Sequence, residues 1–208
     1  STLFTILDGT KNKQMLKVMR PYQVYATKAV LNELKQADFD LPINKLGYVW
    51  HTTGSGKTIT SFKTAWLASR MPNVDKVIFV VDRIALTKQT EDNYKAYDPE
   101  GSIDDGGKKN NNVSGTLNTD ALERKLNKSG YGIIVTSVQK LNTLIKRKNF
   151  VVPKKKFVFI VDEAHRSTGG ESFEELQKVF KGAAWVGYTG TPMFEEVVGK
   201  KGTKTHEV

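Results

Sequence analysis

Short apolar runs recur along the chain between longer stretches of mixed polarity. Five of them, at 46–50, 76–81, 132–135, 157–161 and 183–188, are short, β-rich and do not alternate strictly with polar residues. That pattern predicts strands buried on both faces, as in a parallel sheet. The stretches between and before them, at 22–36, 57–70, 84–97, 119–127, 138–148 and 172–180, have helical patterns. The first follows Pro21, a residue suited to a first helical turn. Strands alternating with helices specify an α/β domain built on a mainly parallel sheet with helices on both faces. Ligands of such sheets bind beyond the carboxyl ends of the strands.

One segment breaks the rhythm. Residues 98–119 contain Pro99, Gly101, Gly106, Gly107, Gly115 and the run Asn110-Asn111-Asn112, and read as a mobile insertion with a short strand near Val113. Residues 1–19 form a lead-in, and no repeat or second boundary is visible, so 1–208 reads as a single domain. The length and a 38% hydrophobic content suit one well-buried core rather than two.

Composition removes several function classes. The longest apolar runs, 77–81 and 157–161, fall far short of the roughly 20 residues that cross a bilayer. The first residues do not form a basic start followed by a long apolar stretch, so no secretion signal is expected. Without cysteine there are no disulfides or thiolate metal sites, which fits a reducing, cytoplasmic setting. Lys and Arg total 32 against 22 Asp and Glu, a net charge of +10. Such a surplus favours a polyanionic partner through long-range attraction and counterion release, although solubility alone would also account for it.

The sharpest chemistry follows the strand at 46–50. His51-Thr52-Thr53-Gly54-Ser55-Gly56-Lys57-Thr58 leads into a helix. Glycines let successive N–H groups face one phosphate, and the helix adds its positive end. Thr53, Gly54, Ser55 and Gly56 would form the cradle. Lys57 would hold the β- and γ-phosphates, and Thr58 Oγ would coordinate Mg²⁺. The general pattern has glycine where this chain has His51. A chance glycine turn before a helix is the alternative, and the strand on one side with the helix on the other argues against it.

The strand at 157–161 runs into Asp162-Glu163-Ala164-His165. Carboxylates at the end of a buried strand are costly unless a cation or another partner compensates them. Asp162 would hold Mg²⁺ through its water shell, and Glu163 would orient and deprotonate the attacking water. Alone, such a pair could cap the next helix. Beside a phosphate loop it points to nucleotide hydrolysis.

Asp162-Glu163-Ala164-His165 resembles the motif II tetrad of many superfamily 2 helicases and translocases. Other segments resemble the remaining motifs of that family's first RecA-like lobe, in the expected order. Arg20-Pro21-Tyr22-Gln23 resembles the adenine-reading motif, and Val80-Val81-Asp82-Arg83 with Leu86 and Gln89 resembles motif Ia. Thr136-Ser137-Val138-Gln139-Lys140 resembles a DNA-tracking motif, and Thr189-Gly190-Thr191-Pro192 resembles motif III. The wording of 50–58, of Val81-Asp82-Arg83 and of 162–167 is most similar to the motor subunit of type I restriction-modification enzymes.

The resemblance implies a RecA-like fold with ATP and Mg²⁺ as ligands. Gln23 would read the adenine edge, with Arg20 or Tyr22 nearby. His165 would couple the nucleotide to Thr189 and Thr191, with a satisfied structural histidine as the alternative. Arg83, Thr136, Gln139 and Lys140 are the candidates for a surface tracking DNA phosphates, although Arg83 fits a structural ion pair equally well. Double-stranded DNA, a second RecA-like lobe, a nuclease domain, and methyltransferase and specificity subunits are the implied partners. Nothing after Pro192 resembles second-lobe motifs, so the chain reads as the first motor lobe of a larger protein, nearly inactive by itself. Two other functions fit the same residues: a lobe of another superfamily 2 helicase, such as a type III restriction subunit or repair helicase, or a nucleotide-gated DNA-binding module without useful turnover.

Three features are expected to be structural. Lys146-Arg147-Lys148 and Lys154-Lys155-Lys156 read as a solvated rim. Trp50, Trp66 and Trp185 read as packing residues. His51, His165 and His206 are too dispersed to suggest zinc.

Overall fold

The computed structural model describes residues 4–8, 15–42, 44–52, 54–81, 84–97, 102–103, 109–110, 113–116, 118–162 and 171–190. Ten strands and six helices follow one another among them. They are β1 (Thr5–Asp8), β2 (Met15–Val18), α1 (Pro21–Gln36), β3 (Asn44–Trp50), α2 (Lys57–Ala68), β4 (Lys76–Val81), α3 (Ile84–Tyr97), β5 (Ser102–Ile103), β6 (Lys109–Asn110) and β7 (Val113–Gly115), then α4 (Thr119–Asn127), β8 (Ile133–Ser137), α5 (Val138–Ile145), β9 (Phe157–Asp162), α6 (Glu171–Val179) and β10 (Ala184–Thr189).

Six strands form one sheet in the order β3-β10-β9-β4-β8-β7, and every pair in it is parallel. Apolar residues on both faces of β4, β9 and β10 require a layer of helices on each side. On one face Val30 and Leu34 of α1, Phe62 and Ala65 of α2, and Tyr94 and Tyr97 of α3 meet Val77, Phe79, Val158, Ile160 and Val186. On the other, Leu122 and Leu126 of α4, Leu141 and Leu144 of α5, and Phe173 and Leu176 of α6 cover Ile78, Val80, Phe159 and Trp185. This is the RecA-like α/β architecture expected from the sequence.

The second core is organised by aromatic rings. The Trp185 indole lies flat on Phe159, with centroids 4.0 Å apart and planes at 8°. Phe180 meets Phe159 edge-on at 5.0 Å, and Phe173 meets Trp185 edge-on at 5.1 Å. Both geometries suit the ring quadrupoles.

Differences from the sequence reading are local. β8 continues to Ser137, whose hydroxyl accepts from the Lys140 N–H and so starts α5. That helix stops at Ile145, and Arg147 turns to Asp120 and Glu123 of α4. The short strand near Val113 is present and joins the sheet beside β8. The lead-in contains an antiparallel hairpin, β1–β2, fixed by buried Ile6 and by the Lys63 amine on the Thr5 carbonyl.

Two structural expectations are corrected. Lys155 is more than a rim residue, because its amine donates to the carbonyls of Leu126, Asn127 and Lys128 at 2.7, 2.9 and 2.7 Å. It thereby satisfies groups that the end of α4 leaves without helical partners. Trp50, the last residue of edge strand β3, is 54% exposed rather than packed. No helix among the described residues is long and apolar enough to cross a membrane.

Truncating Trp185 to Ala removes the centre of the aromatic stack and should cost about 3–5 kcal/mol in urea unfolding. The same truncation at exposed Trp50 should cost less than half of that.

Candidate nucleotide site

Parallel register brings the carboxyl ends of the strands to one edge. Trp50 pairs with Thr189, Tyr188 with Asp162, and Val81 with Ser137. The loop leaving β3 and the acid closing β9 therefore meet across the end of β10.

The loop's shape depends on Gly54 and Gly56, which have φ of 79° and 89° in the left-handed region. Gly56 is also the N-cap of α2, and a Cβ there would lie 2.5 Å from the Gln23 amide nitrogen. No side chain caps α2 and its first turn holds no acid. Its positive end is thus suited to an external anion. Lys57 Nζ lies 3.0 Å from an Asp162 carboxylate oxygen, with the two side chains 20% and 25% exposed. Thr58 is exposed beside them.

Gln23 is buried and works on the loop itself. Its Oε1 accepts from the Arg20 N–H at 2.9 Å, while Nε2 donates to the carbonyls of Ser55 and Gly56 at 3.2 and 3.3 Å. The Tyr22 hydroxyl donates to the same Ser55 carbonyl at 2.6 Å. The segment 20–23 thus clamps the loop, a contact that its sequence alone did not disclose.

His51 is more engaged than the sequence reading allowed. It is 4% exposed, its N–H donates to the Thr189 carbonyl at 2.9 Å, and its Nδ1 lies 2.9 Å from Ser55 Oγ. The ring runs nearly parallel to Tyr188, 6.2 Å away at 18°, and is tilted against Tyr22 at 6.0 Å. Burial, and then the Lys57 charge, push its pKa below the usual histidine value. The other ring nitrogen, Nε2, is buried without a hydrogen-bond partner. An orphaned polar atom of this kind costs about 1–3 kcal/mol. The signal available in the sequence was a large polar ring at a position where the general pattern has glycine.

Hydroxyl pairs lie beneath the loop. Tyr188 OH is 2.7 Å from Thr64 Oγ1, which also donates to Thr27 Oγ1 at 3.3 Å, and Ser61 Oγ is 2.9 Å from Tyr94 OH. Burial raises the pKa of both tyrosines, which stay neutral. They tie β10 and α3 to α2.

The remaining candidates separate. Arg20 is exposed beside Gln23, and Thr189 is buried at the end of β10. Thr136 is fully buried and its hydroxyl accepts from Thr116, so the side chain faces the fold rather than solvent. The Lys140 amine donates to the Thr116 carbonyl, whereas Gln139 is exposed. These three lie at the end of β8, separated from β9 by β4. Thr53, Arg83, Glu163, His165 and Thr191 fall outside the described residues. Among the described residues no three His, Cys, Asp or Glu side chains form a metal-holding group.

Known proteins resemble this chain over most of its length. A family model of SWI2/SNF2 ATPases matches residues 22–208. The endonuclease subunit of a Staphylococcus aureus type I restriction enzyme is 38% identical over 198 residues, 94% of this chain and 20% of that protein. The C-terminal part of a Mycoplasma pneumoniae type I restriction enzyme endonuclease subunit is 41% identical over 175 residues, 79% of this chain and 80% of that one. The chain thus spans about a fifth of the length of the Staphylococcus relatives it matches. Among solved structures, a nuclease-deletion mutant of the Type ISP restriction-modification enzyme LlaGI with a DNA substrate mimic has a TM-score of 0.58 at 21% identity, covering 88% of this chain and 18% of that one. The Sulfolobus solfataricus SWI2/SNF2 ATPase core in complex with double-stranded DNA gives 0.58 at 16%, covering 85% and 32%. The chain belongs to the SWI2/SNF2 ATPase family, among the endonuclease subunits of type I restriction enzymes.

Proposed function

We propose that this chain is the ATP-binding first motor lobe of a type I restriction enzyme, which hydrolyses ATP to move double-stranded DNA before a separate nuclease domain cuts it. The observation that carries the reading is the Lys57–Asp162 pair, 3.0 Å apart at the mouth of a glycine-shaped loop. A cation and a carboxylate are held there over the uncapped start of α2, where a phosphate chain and its metal would lie.

In this reading Lys57 leaves Asp162 for the β- and γ-phosphates, and the N–H groups of 53–58 close around them. Thr58 and Asp162 fit a Mg²⁺ site, because one offers an exposed hydroxyl and the other a carboxylate already facing a cation. The ion supplies charge neutralisation at the phosphates when bound. Glu163, next to Asp162 in the chain, takes the proton of the attacking water. Gln23 and Arg20 bound the adenine side, with Gln23 exchanging one loop carbonyl for the base. His165, Thr189 and Thr191 relay the state of the site.

Arg83, Gln139 and Lys140 are assigned to the DNA surface, with Thr136 supporting it from below through Thr116. The second RecA-like lobe, the nuclease domain, and the methyltransferase and specificity subunits are the partners of the cytoplasmic assembly. The DNA complexes among the similar folds support this role for the lobe.

Titration calorimetry with Mg²⁺–ATP should give saturable binding to the 208-residue chain and none to Lys57→Ala. A folded wild type that binds no nucleotide would overturn the assignment. In the complete motor protein, Glu163→Gln should retain nucleotide binding but lower turnover by about 10²–10⁴-fold, the usual contribution of a general base. Unchanged turnover in that variant would remove Glu163 from its role.

A further inference from the structure

His51 is the only group seen to hold the phosphate loop and the end of β10 at the same time through one side chain and its backbone, among the described residues. Its backbone N–H is on the Thr189 carbonyl, its Nδ1 is on Ser55 Oγ, and its ring covers Tyr188. Tyr188 in turn reaches Thr64 in the helix that follows the loop. A ring that served packing alone would be cheaper as an apolar one, because Nε2 is buried without a partner. Glycine, the residue of the general loop pattern, would have neither the ring contact nor the bond to Ser55.

We propose that His51 is a positioning residue that links the conformation of the phosphate loop to the carboxyl end of β10, by holding Ser55 with Nδ1 and Tyr188 with its ring face. When the loop closes on a nucleotide, Ser55 moves with it, and the imidazole carries that movement to Thr189 and Gly190. The strand end is also held by the neighbouring residue, because Trp50 Nε1 donates to the Gly190 carbonyl at 3.3 Å. The purpose of the link rests on the nucleotide reading given above. Its existence does not, because Ser55 can be changed without any ligand.

The experiment is an NMR double-mutant cycle on the nucleotide-free 208-residue chain, read at the amides of Thr189 and Gly190. In the wild-type background Ser55→Ala should shift both amides. In the His51→Ala background the same change should leave them unmoved. His51→Asn, which places an amide near the position of Nδ1 but has no ring to lay on Tyr188, should restore only part of the response, and His51→Gln none of it. The imidazole ¹⁵N signals of His51 should show one fixed neutral tautomer in wild type and averaging in Ser55→Ala. Shifts of Thr189 and Gly190 that survive in His51→Ala overturn the proposal, as does a freely averaging imidazole in wild type. A final addition of Mg²⁺–ADP tests the nucleotide reading separately, since failure to bind would leave the cycle's result standing.

Discussion

A parallel sheet offers no face to water, and each of its strands must be covered twice. β4, β9 and β10 are buried along almost their whole length, so α1, α2 and α3 on one side and α4, α5 and α6 on the other are obligatory. This covering dictates where chemistry can occur. Polar side chains are excluded from the middle of the strands and gather at their carboxyl ends, where the chain leaves the sheet. Because β10 lies between β3 and β9, the loop after β3 and the carboxylate of Asp162 can approach each other only across the end of β10. Thr189 and Gly190 are consequently part of the site's floor, whatever their own chemistry.

The same covering explains why α2 is polar and yet buried. Thr60, Ser61 and Thr64 are within the fold, and each hydroxyl has a partner: the Gly56 carbonyl for Thr60, the Thr58 carbonyl and Tyr94 for Ser61, and the Thr60 carbonyl, Thr27 and Tyr188 for Thr64. Satisfied groups of this kind add little net stability but fix the orientation of the helix. A helix that begins at the loop must not rotate if its first N–H groups are to stay aimed at one point. His51 fits the same logic on the strand side, except that one of its nitrogens is left over.

The sequence was most legible where packing repeats. β4 at Lys76–Val81, α3 at Ile84–Tyr97 and α4 at Thr119–Asn127 lie where periodicity puts them, and the turn between β3 and α2 was visible from Gly54 and Gly56. Strand order was not visible, since nothing in the 184–189 stretch says that it inserts between β3 and β9. The hairpin β1–β2 escaped notice because it has only four residues per strand, and Met15, Leu16 and Val18 remain exposed. Side-chain use was harder still. Gln23 was legible as a motif residue, but its grip on the Ser55 and Gly56 carbonyls requires α1 to pack on α2, a contact that local pattern does not encode. Trp50 looked like core because tryptophan usually is, and an edge strand was the exception.

Charge is where composition and structure diverge most. A net charge of +10 invites a broad phosphate-binding face, yet many of the cations serve the fold. Lys17 pairs with Asp8, Lys95 with Glu91, and Arg147 with Asp120 and Glu123. Lys63, Lys125, Lys140 and Lys155 donate to backbone carbonyls, and Lys63 and Arg70 lie over the Trp66 ring. Burial lowers the pKa of Lys63, Lys76, Lys125 and Lys155, so these amines hold their protons less firmly than exposed lysines do. The salt dependence of polyanion binding counts the phosphates that are neutralised, not the formal charge of the protein. A lysine already spent on a carbonyl contributes to that count only by giving up the bond. Net charge therefore sets the long-range attraction, while an engaged cation such as Lys140 must leave its carbonyl before it can contact a phosphate.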